Sequence, residues 1–196
     1  ALTGPSVPPG AGETLRRFLA LGVTHILPFG LDHVLFVAGL ALLSPRLAPL
    51  LAQVTAFTLA HTLTLALSSY GVVSLPSRLV EPLIALSIVY VGVENAVSPR
   101  LRPSRVVLVF AFGLLHGLGF AGVLAEMGLP DRHHLLALLA FNVGVELGQL
   151  AVLAIVSGAL ALWALRGGDR RTLVRPASLV IAAIGLFWTV ERALGL

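Results

Sequence analysis

The chain has 196 residues, 57% of them hydrophobic and only 11% charged, with a mean hydropathy of +0.97. A soluble domain carries roughly 25% charged residues, so this composition excludes one, and apolar stretches recur along the whole length, leaving no room for a sizeable soluble domain. The net charge of +4 comes from 13 arginines and no lysine, spread between apolar runs; that distribution marks membrane topology and excludes nucleic-acid binding.

Residues 1–12, rich in Pro and Gly, read as a flexible amino-terminal segment. They lack the basic start and apolar core of a signal peptide, and the expectation is a trimmed or processed amino terminus. Residues 13–196 read as a single all-α domain. A bilayer core about 30 Å thick needs roughly 20 apolar residues per helix, and six segments qualify: 14–43, 49–70, 79–97, 104–126, 133–165 and 172–194. The fold class is therefore a polytopic membrane protein, a bundle of six transmembrane helices.

The first segment is long and contains Pro28 and Gly30, which predicts a kinked first helix. A kink frees backbone groups that are tolerable at membrane depth only in a protein-lined cavity. The separators carry breakers or charge: Ser44-Pro45-Arg46, then residues 71–78, 98–103, 128–132 and 166–171. Such short loops predict that successive helices are antiparallel neighbours. Glu81-Pro82 reads as a helix start.

With the amino terminus outside, eight arginines (46, 100, 102, 105, 166, 170, 171 and 175) fall in inner loops and five (16, 17, 78, 132 and 192) in outer ones. The positive-inside rule then places both termini outside. No fixed-period repeat is present. Gly113/Gly117 and Gly144/Gly148 have the small-xxx-small spacing that permits close helix contact.

The chemistry lies in residues that do not belong in lipid, because ionisable groups there are costly and turn toward the bundle interior. His25, Asp32 and His33 sit around the predicted kink; seven residues are close to two helical turns, so His25 and Asp32 are expected on one face. His61 falls mid-way along the second segment with Thr58 one turn before it, and His116 falls mid-way along the fourth between Gly113, Gly117 and Gly119. Singly, each histidine reads equally well as a packing residue, and Asp32 as an acid that merely orients an imidazole. Together, His25, Asp32, His33, His61 and His116 predict a metal site at mid-bilayer depth. With no cysteine in the chain, the ligands are nitrogen and oxygen, which suits nickel, zinc, iron or manganese.

Asn142, Glu146 and Gln149 form a polar stripe at i, i+4 and i+7, and Ser87, Tyr90 and Glu94, with Asn95 adjacent, form another. These residues either line the ion's pathway and orient the histidines or act as hydrogen-bond glue between helices. Glu81, Glu126, Asp131, His133, His134 and Glu191 read as solvated helix ends; adjacent His133 and His134 do not face together on a helix.

These residues resemble the HupE/UreJ family of bacterial membrane proteins over nearly the whole chain. The resemblance rests on His25, Gly30, Asp32 and His33, on Phe57 to Thr62, on Val80-Glu81 through Tyr90 to Glu94-Asn95, on Phe112 to Phe120 around His116, and on Phe141 to Gln149. The last string looks like the branch that often bears an extra extracytoplasmic domain before the membrane part. The resemblance implies a nickel permease or metal-uptake accessory of the bacterial inner membrane, linked to hydrogenase and urease systems.

The leading reading is a divalent-metal permease, entered past His25 and left past Glu94 and Asn95. The alternative is a membrane-embedded hydrolase in which histidines hold a zinc-type ion and Asp32, Glu94 or Glu146 activates water; a metal sensor or store is a third. The partners are the bilayer and the metal ion, with a second copy of the chain or an extracytoplasmic domain left open.

Overall fold

In a computed structural model, residues 10–98, 104–127 and 130–195 are described, and among them every regular element is a helix. The order is α1 (Ala11–Ile26), α2 (Leu31–Leu43), α3 (Leu47–Ser69), α4 (Ser77–Val97), α5 (Arg105–Met127), a single 3₁₀ turn at Asp131–His133, α6 (His134–Leu165) and α7 (Arg170–Leu194). Helices α3 to α7 are each long and apolar enough to cross a membrane, and α1 and α2, bent by 67° at their junction, meet the same test when taken together as one broken span. The flexible segment expected at 1–12 lies mostly outside the described residues, as do Arg100 and Arg102 of the charge count; Ala11 and Gly12 are already helical.

The kink expected in the first span is a complete break. Leu27 N closes on Val23 O at 2.9 Å and ends α1, and Pro28, joined to Leu27 by a cis peptide bond, has no amide to continue it. The chain then turns back so closely that a Cβ at Gly30 would strike the His25 carbonyl oxygen. Helix α2 restarts with Val34 N on Gly30 O at 2.9 Å. Helix α4 begins at Ser77, earlier than Glu81-Pro82 suggested, because Pro76 O accepts from the amides of Leu79 and Val80.

Helix pairing departs from the loop-length expectation. The closest partners are α3 with α5, α4 with α7 and α1 with α6, and none of these pairs is consecutive. Small residues decide it. Gly113 and Gly117 press on the α3 backbone at Phe57 and His61; Gly22 and Gly144 bring α1 and α6 together; Gly92 and Gly185 do the same between α4 and α7. In lipid, where apolar surface gains nothing by leaving hydrocarbon, packing of this closeness is what holds helices together.

Phe36, Phe57, Val91, Val109 and Phe141 fill the bundle interior, whereas Leu59, Val107, Ile155 and Phe187 point outward, as a lipid-facing surface requires. At one end of the bundle Arg192 donates to Glu81 O (3.4 Å) and Ser69 Oγ lies 3.2 Å from His134 Nε2. At the other, Arg170 donates to the Ala41 and Leu42 carbonyls at 2.8 and 3.1 Å, and Arg105 meets Glu94 and Asn95.

Candidate metal centre

The break in the first span places two histidines face to face. His25 stands in the last turn of α1 and His33 in the first turn of α2, their ring centroids 4.7 Å apart. His61 from α3 lies 6.0 and 5.9 Å from these rings, and His116 from α5 lies 4.7 Å from His33. One nitrogen from each of His25, His33 and His61 falls within 4.8 Å of the others. Three of the four imidazoles are buried and His25 is half-buried. Phe57, Phe120 and Phe141 pack against them; Phe120 is 4.0 Å from His25, centroid to centroid, and stacks on Phe141.

The hydrogen bonds fix which nitrogen is free. Asn142 Nδ2 donates to Leu138 O at 2.9 Å, which turns Asn142 Oδ1 toward His61 Nδ1, also at 2.9 Å. An amide oxygen only accepts, so the His61 proton sits on Nδ1 and its Nε2 presents a lone pair. That Nε2 is buried without a hydrogen-bond partner among the described residues, as is His25 Nε2. A buried acceptor without a partner is costly; a cation shared by these nitrogens would satisfy both.

The same logic applies to His116. Ser87 Oγ donates to Ile84 O at 2.6 Å and therefore accepts from His116 Nε2 at 3.1 Å. His116 Nδ1 then turns its lone pair on His33 Nε2, 3.4 Å away. His33 meets that lone pair by donating from Nε2–H, and a metal ion between the two nitrogens would take the place of that proton.

The carboxylates are placed differently. The break removes the common helix face expected for His25 and Asp32, since they now belong to separate helices. Asp32 instead holds Arg192, whose Nη2 lies 3.1 Å from each carboxylate oxygen. Asp32 and Arg192 still line, with His25, His33 and His116, a pocket of about 300 Å³. Glu146 accepts from Thr55 at 2.8 Å and from Thr58, and Thr58 Oγ1 lies 3.0 Å from Gln149 Oε1, so that stripe faces α3 behind His61. Glu94 pairs with buried Arg105 at 3.2 Å, and Asn95 accepts from both Arg105 terminal nitrogens at 3.0 Å while donating to Gly39 O at 2.7 Å. Neither Glu94 nor Asn95 lines the histidine pocket. His134 packs on Tyr70 and Ser69. The side chains of Glu126 and Asp131 lie outside the described residues.

Sequence reasoning missed three contributors. Ser87 stood in a polar stripe without being linked to His116, and Arg105 and Arg192 were counted only as loop charges. A signal existed for Arg192, which lies one turn beyond Trp188 inside the last apolar segment, and its guanidinium sits 5.4 Å over that ring.

A bundle of membrane-crossing helices that turns four histidines toward one another around a broken span defines a multi-pass membrane protein with a candidate metal centre. The chain belongs to the HupE/UreJ family: the family's sequence model, described as HupE / UreJ protein, matches residues 6–192. No curated protein and no solved structure gives a significant match.

Proposed function

We propose that the protein is a divalent transition-metal permease, with His25, His33 and His61 holding the ion in transit and His116 completing the site. The observation that carries this reading is the convergence of three imidazole nitrogens within 4.8 Å of one another, two of the histidines bearing a buried Nε2 without a partner. Nitrogen ligands of this kind suit nickel, zinc, iron or manganese, and family membership favours nickel-type transport. Neutral imidazoles leave most of the ion's charge uncompensated, which fits a cargo that must be released. Asp32 stands at the pocket beside them, its charge offset by Arg192, so the pair leaves the ion weakly held. In this reading the protein lies in the bacterial inner membrane with both termini outside.

The alternative is a membrane-embedded metal-dependent hydrolase, favoured by one observation: Asp32 shares its pocket with three histidines, where an acid in reach of a metal-bound water acts as a base. Purified protein in sealed vesicles separates the two. A permease accumulates nickel or zinc inside the vesicles; His33→Ala abolishes both metal retention and uptake, and Asp32→Asn lowers affinity about 10- to 100-fold. Normal metal content in Asp32→Asn together with loss of a hydrolytic activity replaces the permease by the hydrolase. Full metal retention and uptake in both variants overturns the site.

A further inference from the structure

A second cavity, of about 590 Å³, opens at the opposite end of the bundle, where the carboxyl ends of α2 and α4 meet the amino end of α7. Arg170, Arg171 and Arg175 line it, and among the described residues no acid does. Arg170 is anchored by its bonds to the Ala41 and Leu42 carbonyls. Arg171 and Arg175, one helical turn apart and so on one face, are exposed and make no ion pair among the described residues. The neighbouring acids are engaged elsewhere: Glu94 pairs with Arg105 and Asp169 caps the α7 amide of Arg171 at 2.9 Å.

Three positive charges and no negative one make this the wrong surface for a divalent cation, so the cavity is not a continuation of the histidine pocket. The rest of its lining is apolar, including Leu42, Val97 and Val174. A charged rim over an apolar wall, at the level where the spans end, matches a molecule with an anionic head and a hydrocarbon tail. Basic pockets between transmembrane helices bind phosphate-bearing head groups in this way, arginine being suited to phosphate by its paired donors. We propose that the cavity binds an anionic phospholipid, its phosphate on Arg171 and Arg175 and its acyl chain along Leu42, Val97 and Val174.

Native mass spectrometry of the protein released from phosphatidylglycerol or phosphatidylcholine bilayers tests this. The wild-type chain should retain phosphatidylglycerol and lose phosphatidylcholine. The double substitution Arg171→Gln and Arg175→Gln, which leaves Arg170 on its carbonyls, should weaken phosphatidylglycerol binding roughly thirtyfold, whereas the corresponding lysine pair keeps most of it. Equal retention by wild type and the glutamine variant overturns the proposal, as does equal retention of the two lipids by wild type. Displacement of the lipid by excess inorganic phosphate alone would assign the site to free phosphate and overturn the lipid. If the glutamine variant does not fold, the comparison of the two lipids on wild type still decides.

Discussion

The Arg192 guanidinium lies 3.1 Å from both oxygens of Asp32 and so holds a positive charge at the pocket that leads to His25, His33 and His116. A divalent ion entering there meets a cation already in place. Replacing Arg192 by Gln leaves the Asp32 carboxylate unpaired and removes that repulsion, so nickel or zinc should bind roughly tenfold tighter by calorimetry. The gain should vanish when Asp32→Asn is added. Unchanged affinity in the single variant would mean that the pair only ties α2 to α7.

Asn142 sets the His61 tautomer through a single 2.9 Å contact. Asn142→Leu keeps the branching of the side chain, though not its volume, and frees the ring to carry its proton on Nε2, the nitrogen needed for the ion. Metal affinity should fall about 10- to 100-fold with the helical signal in circular dichroism unchanged. An unaltered affinity would mean that Asn142 does not set the tautomer through which His61 binds.

Acid should release the metal. An imidazole binds only when its ligating nitrogen is unprotonated, so protons and metal compete, and retention is fullest at high pH and falls as pH drops. With ordinary histidine titrating near 6.5, the decline is expected below about pH 6. Equilibrium dialysis across that range reads it; occupancy that stays flat down to about pH 5 would point to carboxylates alone.

Gly144 is where α6 meets α1, and a side chain there would run into the Leu19 carbonyl and Gly22. Gly144→Leu should destabilise the bundle by roughly 1–3 kcal/mol, read as a lower melting temperature in detergent. Gly158, with nothing within 4 Å of the position of its Cβ, should accept Ala without loss.

The six spans were legible because a bilayer demands long apolar runs, and Pro28 and Gly30 marked the break because one lacks a donor and the other lacks a Cβ. The meeting of the histidines was legible on cost alone, since buried imidazoles scattered toward lipid have no compensation. Helix partners were not. Loop lengths say which helices are consecutive, whereas the choice of α3 for α5 and α6 for α1 depends on where Gly117 and Gly144 meet a facing backbone. Asp32 was misassigned to a face shared with His25 because helical spacing carries no meaning across the break. Its partner, Arg192, lies 160 residues away, a distance that no local pattern spans.

The break has one more consequence. Because His25 closes α1 and His33 opens α2, the separation of their imidazoles varies with the 67° angle between the two halves of the span. An ion held by both nitrogens favours some angles over others, and by thermodynamic reciprocity a force that changes the angle changes the ion's affinity by the same free energy. Helix α1 packs chiefly on α6, whereas α2 also meets α4 and α7. Sliding one of these groups against the other would therefore alter the grip on the ion without moving any single helix as a whole.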